Sequence, residues 1–210
     1  MKLFCPYSPH PDRIPANSKQ RCQCPHNTPR QRPWTRKLWL KGEKISLAAL
    51  ADDLNIGRAT LFRWVGNRDL LIAEILWSLY EPLYKEARAN TPGEGIDYIV
   101  GVYRYINTTA LHFKPLRKFL HQDPEYALKM LTSSHSTLHT RTVELNTRLL
   151  KDEVRAGHLS PPMNIQSLSY FMIRIAESCV YSDLIGGHEP REDELEDACT
   201  AVRILLGGKV

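Results

Sequence analysis

An all-α chain is predicted, with three short helices in front and larger ones behind, about nine in all. Three observations predict it. From Pro33 onward apolar residues recur at three- and four-residue spacing, and no stretch alternates apolar with polar as a half-buried strand does. Glycine, proline and oxygen-bearing capping residues cut that pattern into helix-sized lengths. With 42% of 210 residues hydrophobic, a real core can form, yet no run nears the ~20 consecutive apolar residues of a membrane span.

Residues 1–31 are rich in Pro, Ser, Asn, Gln and His and poor in aliphatics, so they cannot offset the entropy of ordering and read as a disordered tail. The opening MKLFCPYSPHP lacks the apolar segment of a secretion signal, and a cytoplasmic protein is expected. The five cysteines, an odd number, suit reduced thiols better than a disulfide framework. Cys22-x-Cys24-x-His26, with Cys5 and His10, raises zinc, but paired ligand clusters with wider spacing are missing, and no metal or other cofactor is expected.

Trp34–Lys41 is a short amphipathic helix ended by Gly42. Ser46 caps the next, which carries Leu47, Leu50 and Leu54; Asn55-Ile56-Gly57 breaks it; a further helix runs from Arg58 to about Trp64 and stops at Gly66. Asn67 caps a long helix with the stripe Leu71, Ile75, Leu79 and Leu83, in which Pro82 is expected to impose a kink or hinge. Thr91-Pro92-Gly93-Glu94 reads as a capping box opening a helix with Ile96, Ile99, Val100, Tyr103, Ile106 and Ala110 on one face. A connector helix spans Pro115 to Leu120, and Asp123-Pro124 opens a long helix to about Gly157. Asn164 caps a helix running toward Gly186-Gly187, and an acid-rich turn at Glu192-Asp193-Glu194 starts the last one.

Charge and motif converge on the front of the chain. Residues 1–80 carry 13 Lys and Arg against 6 Asp and Glu, residues 81–210 carry 15 against 17, and the whole has a formal net charge of +5. A basic front on a nearly neutral body is what phosphate binding at one end requires, although a basic tail gives the same balance. Two short helices joined by a three-residue turn over 46–64 fit a helix-turn-helix. Leu50, Leu54, Ile56 and Leu61 make its small core, Ala51 permits close packing and Asn55 tolerates the left-handed turn. Arg58, Ala59, Thr60, Phe62, Arg63 and Trp64 are left on or near the outer surface. Arg58 leads as base reader, because arginine bonds guanine O6 and N7 together. Ser46, Arg63 and Arg68 suit phosphates. An ordinary helical hairpin with solvated arginines is the plain alternative.

The segment LAALADDLNIGRATLFRWVGNRDLLIAEIL resembles the DNA-binding part of the tetracycline-repressor (TetR) family. The small Ala51, the turn Asn55-Ile56-Gly57, the run Phe62-Arg63-Trp64 and the loop Gly66-Asn67-Arg68-Asp69-Leu70-Leu71 occur in that family's order. RATLFRW, with RIAES at 174–178, is similar to the QsdR-type branch, regulators of quorum-signal lactone degradation. Phe62 stands where the family commonly has Tyr, Gly57 where Ser or Thr usually caps the recognition helix, and the front helix is shorter than usual.

With residues 1–31 set aside as a disordered tail on composition, the resemblance implies a three-helix helix-turn-helix domain over 32–80 and a helical ligand-binding and dimerisation domain over 81–210. It implies a non-enzymatic repressor, a homodimer on an approximately palindromic operator in double-stranded DNA, released by a small-molecule effector, with a lactone as one candidate. It also implies that the last long helices pair between copies. The stripes Ile165, Leu168, Met172, Ile175 and Cys179, and Leu195, Ala198, Val202 and Leu205, suit that interface or an internal core. For the effector, His135 and His139 fall four apart on the expected long helix, and Arg174 and Glu177 lie three apart in an apolar one. Each pair reads either as polar lining or as ordinary structure, with Tyr103, Met130, Leu138, Phe171 and Tyr181 as apolar lining or core. The rival from another class is a helical small-molecule binder or enzyme without a DNA function, although no nucleophile-elbow or Walker sequence is present.

Overall fold

The computed structural model describes residues 32–43, 46–53 and 55–209. The expectations for the tail and for its cysteine-histidine cluster lie outside them, as do Leu54 and the side chain of Trp64. The described residues form eleven helices: α1 (Arg32–Leu40), α2 (Leu47–Asp53), α3 (Arg58–Val65), α4 (Arg68–Asn90), α5 (Gly95–His112), α6 (Lys114–Gln122), α7 (Pro124–Thr132), α8 (Thr137–Arg155), α9 (Ile165–Val180), α10 (Ser182–Ile185) and α11 (Glu192–Leu205). None is long and apolar enough to cross a membrane.

Local chemistry sets most boundaries. Asn67 Oδ1 accepts the Leu70 N–H at 2.8 Å at the start of α4, and Asn164 does the same for Gln166 and Ser167 at the start of α9. The α2 end is a left-handed cap: Asn55 has φ 50°, and Asn55 and Ile56 N–H groups close on the Asp52 and Ala51 carbonyls. α4 runs unbroken past Pro82, whose ring lies on the exposed side. The expected boundary at residue 80 therefore falls inside a continuous helix.

Three expectations are corrected. Thr91 does not open α5; it closes α4, its hydroxyl donating to the Ala87 carbonyl at 2.7 Å. The α5 N-terminus is served instead by the Glu153 carboxylate of α8, which accepts the Gly95 N–H at 2.8 Å. Gly95 has φ +63°, and a Cβ there would stand 2.6 Å from the His158 carbonyl oxygen, so the turn requires glycine. The helix expected from Asp123 to Gly157 is two, because Ser133–Ser136 forms a turn in which Ser133 Oγ takes the His135 N–H at 3.2 Å, the serine competing with the helical ladder. The helix from Asn164 stops at Val180 and is followed by the one-turn α10 rather than continuing to Gly186.

The buried side chains fall into two clusters. One joins α5, α8, α9 and α11 through Ile99, Leu150, Leu168, Leu195 and Val202. The other joins the three front helices and the first half of α4 to α6 and α7, through Trp39, Leu50, Leu61, Ile72, Leu120 and Ala127. Polar ties reinforce the second: Tyr126 donates to Asp69 Oδ1 at 2.8 Å, and Lys118 Nζ and Gln122 Nε2 donate to the carbonyls of Lys41 and Gly42.

Candidate functional site

The front helices present one outer face. Ser46 Oγ accepts the Ala49 N–H at 3.4 Å and so caps α2. Leu50, Ala51 and Leu61 have at most 1% of their surface exposed, and this small core holds α3 with Leu61 inward. One helical turn then carries Arg58, Ala59, Phe62 and Arg63 outward, all exposed. Phe62 leaves 54% of its surface to solvent, an apolar cost that points to a contact surface. Thr60 is half-buried and its hydroxyl meets Arg63 Nη2 at 3.4 Å. Gly57 precedes α3 in an extended conformation without a side-chain cap, which leaves the first N–H groups of the helix open to an external acceptor. No acidic residue lies between Asp53 and Asp69. Arg68 stands apart from this face: its guanidinium lies 4.5 Å over the Tyr126 ring of α7, at the junction with the body.

A cavity of about 320 Å³ lies in the body behind this head, walled by α4, α5, α8 and α9 and reached by Trp39 of α1 and Leu116 of α6. Its size falls in the ordinary range of small-molecule sites. Of the residues expected there, Tyr103, Leu138, His139, Glu177 and Tyr181 line it. Met130 is packed in the front cluster, Phe171 is 44% exposed on the outside, and His135 is exposed in the turn between α7 and α8, so it shares no helical face with His139. Arg174 lies outside the cavity wall, donating to Glu177 Oε2 at 2.5 Å and to the Thr132 carbonyl at 3.0 Å.

The polar groups of the cavity are few and constrained. Glu177 is 8% exposed, and its Oε1 stands 3.4 Å from His139 Nδ1. Burial pushes the Glu177 carboxyl up to about 7, with Arg174 pulling the other way. Burial, and then Arg174, hold the His139 imidazole below its ordinary value, against a bond to the Leu131 backbone. Burial also raises the phenols of Tyr80, Tyr103 and Tyr181, which stay neutral donors. The Tyr103 hydroxyl has no partner among the described residues.

Residues missed in the sequence are Trp39, whose ring packs 6.1 Å from Phe113 and 5.9 Å from Phe119, and two amides. Asn107 Nδ2 donates to the Tyr103 carbonyl at 2.8 Å, and Asn146 Nδ2 to Ser169. Their signal was a polar residue within an apolar helical stripe: Asn107 beside Ile106, and Asn146 three before Leu149.

Most of the expected interface stripe is internal core. Leu168, Met172, Cys179, Leu195, Ala198 and Val202 are at most 8% exposed within a single chain, and Ile165, Ile175 and Leu205 are half-buried. Side chains already packed inside have no surface to give a second copy. The opposite faces of α9 and α11 carry Tyr170, Phe171 and Ile204, 45%, 44% and 54% exposed. Among the described residues no group of three or more His, Cys, Asp or Glu is placed to hold a metal ion.

Residues 94–207 match the tetracyclin repressor-like C-terminal domain. The chain is also similar to the solved structure of the R. erythropolis transcriptional repressor QsdR from the TetR family, at 27% sequence identity and a TM-score of 0.77 over 86% of this chain and 94% of that one. No curated protein matches.

Proposed function

The chain belongs to the tetracycline-repressor family, and from that premise we propose that it is a sequence-specific, DNA-binding transcriptional repressor whose hold on its operator is weakened by a small molecule in the body cavity. The observation that carries the DNA half is the exposed face of α3, with Arg58, Ala59, Phe62 and Arg63 outward over the buried Leu61. Such a helix enters the major groove with its N-terminal residues at base edges. Arg58, in the first turn, reads bases; Thr60, Arg63 and Ser46 hold phosphates and fix register. Arg68 acts from the junction rather than from the recognition face.

The protein works as a homodimer, joined through the outer faces of α9 and α11, where Tyr170, Phe171 and Ile204 are available. Two-fold symmetry then sets an approximately palindromic operator. The effector half rests on the cavity and on Trp39, a residue of the first front helix that lines it. An occupant that prefers one placement of Trp39 biases the head, which is the differential affinity that allosteric release needs. A gene regulator works where the DNA is, in our reading the cytoplasm.

The test is a gel shift of the full chain on DNA from upstream of its own gene, with random competitor and varied salt. Specific retardation that weakens steeply with salt is expected, since each phosphate contact releases counterions. Retardation no stronger than on random DNA, there and across a genome-wide selection of fragments, would leave a helical small-molecule binder, the reading that the cavity alone supports.

A further inference from the structure

Resting on the reading of the cavity as the effector site, we propose that its ligand is a lipophilic amine, with the ammonium group on Glu177 and the hydrocarbon body against the apolar walls. Glu177 is the only Asp, Glu, Lys or Arg side chain among the described lining residues. The remainder is largely aliphatic and aromatic, with Leu76, Leu83, Val102 and Ile106 among them. The Glu177 Oε2 is held by Arg174, while Oε1 lies beside His139, another lining residue, so the oxygen left toward the cavity accepts an ammonium donor and offers nothing to carboxylate or phosphate ligands.

Arg174 pairs with only one carboxylate oxygen, Oε2, and from the side away from the cavity lining. Its guanidinium lies outside the wall, where it also donates to the Thr132 carbonyl at 3.0 Å and rests 5.0 Å over the Tyr170 ring. It keeps those partners if the carboxylate turns toward a ligand. Burial pushes the Glu177 carboxyl up to about 7 with Arg174 in place, so the arginine leaves part of the desolvation cost uncompensated. Glu177 Oε1 stands 3.4 Å from His139 Nδ1, and both side chains line the cavity.

The neutral polar groups point the same way. Asn107 and Asn146 each commit their Nδ2 to a backbone carbonyl, which fixes the amide orientation and leaves the Oδ1 acceptor without a bond to the described residues. With Glu177 these make a cavity rich in acceptors. An amine supplies up to three donors to such a set. A lactone, a candidate class from the family resemblance, can accept from the neutral hydroxyls of Tyr80, Tyr103 and Tyr181, but it supplies only more acceptors and leaves Glu177, Asn107 and Asn146 without a donor.

The test compares four probes of matched length on the full chain and on Glu177→Gln by titration calorimetry: decylamine, decan-1-ol, γ-decalactone and decanoic acid. Decylamine is expected to bind about tenfold or more tighter than decan-1-ol, from a charge-assisted bond in place of a neutral one. Decanoic acid is expected to give no measurable heat. In Glu177→Gln the amine falls to the level of the alcohol while the alcohol keeps its affinity, which shows the cavity intact. Decan-1-ol or γ-decalactone binding as tightly as decylamine overturns the proposal. So does an unchanged preference in Glu177→Gln, or no binding by any probe; if Glu177→Gln does not fold, the ranking on the unaltered chain decides. Gel shifts with the same probes separate this from the regulatory reading. Decylamine that binds without releasing DNA refutes regulation and leaves the ligand class standing. Release by γ-decalactone with no effect of decylamine does the reverse.

Discussion

Replacing Glu177 with glutamine removes an ionisation that the folded chain supports poorly, and the pH dependence of stability reads that cost directly. The carboxyl is 8% exposed, and burial raises it from an ordinary 4.5 to about 7. A group raised on folding binds its proton more tightly in the native state, so its contribution is full below the unfolded value and is lost as pH rises through the folded one. The difference corresponds to ~3 kcal/mol, accumulating between about pH 4.5 and about pH 7. His139 has the opposite sign: held low, it adds stability above its unfolded value and loses it as pH falls. His139, 3.4 Å from Glu177, feels the substitution too, but it is neutral in both proteins above the ordinary imidazole range, and there the difference reads the acid. Glutamine also retains an oxygen for Arg174, limiting the loss of that contact. Urea unfolding followed by far-ultraviolet circular dichroism, at one fixed chain concentration because a dimer's stability depends on it, provides the assay. The variant should gain ~2–3 kcal/mol on the unaltered chain between about pH 5 and about pH 8. A difference that stays constant over that range would mean that Glu177 ionises at no cost, and would remove the uncompensated carboxylate from the case for an amine as well.

Leu61→Ala should cost ~2–5 kcal/mol, because a side chain with no exposed surface leaves a cavity under α3; operator binding should fall while decylamine binding survives, and calorimetry beside a gel shift checks both. Arg58→Ala should weaken specific DNA binding by ~1–3 kcal/mol and relax the base preference at one position of each half-site, measured by binding to a randomised operator pool; an equal loss on every sequence would make Arg58 a phosphate contact. Ile204→Glu, a charge on the exposed face of α11, should convert the dimer to monomer in light scattering and leave the helical content unchanged. A dimer that persists would move the interface off this face.

The head was readable because its signals are local. Ser46 and Asn67 mark helix starts through their side-chain oxygens and Asn55 and Gly66 mark stops through their N–H groups, and the alternation of Leu61 with Arg58, Phe62 and Arg63 gives the outward face. Part of what was misread depends on partners distant in the chain. Thr91 to Glu94 has the spelling of a capping box, yet the Thr91 N–H and hydroxyl both bond back to the Ala87 carbonyl, and Glu153, 58 residues from Gly95, serves the start of α5 instead. Leu168 and Val202 have the periodicity of an interface, but a stripe cannot say whether its partner is α5 of the same chain or a second copy. In the cavity, Glu177 and His139 were visible as polar residues in apolar helices, whereas Trp39 sits in an ordinary amphipathic stripe. Only the packing of α1 against α4 and α6 brings it to the cavity wall.

That packing bears on how the head and an occupant of the cavity can affect one another. The wall draws Ile99, Val102 and Met172 from the body cluster and Trp39, Leu76, Leu116 and Val180 from the cluster that holds the head to α6 and α7, so the cavity lies on the seam between two separately packed units. A ligand that touches both cannot bind with the same affinity when one unit shifts against the other, because close-packed contacts of about 4 Å are lost over fractions of an ångström. No chain of relays is then needed. α4 belongs to both clusters, with Ile72 and Ile75 in one and Tyr84 and Ala87 in the other, and its N-terminal turn adjoins α3. A small rotation between the units therefore reaches the recognition helix through one continuous element. Enlarging a side chain on only one side of the seam, as in Ala110→Leu, should shift operator affinity with no ligand present, read as a changed midpoint in the gel shift. The same midpoint with an occupied seam would show that a displacement at the seam does not reach the recognition helix.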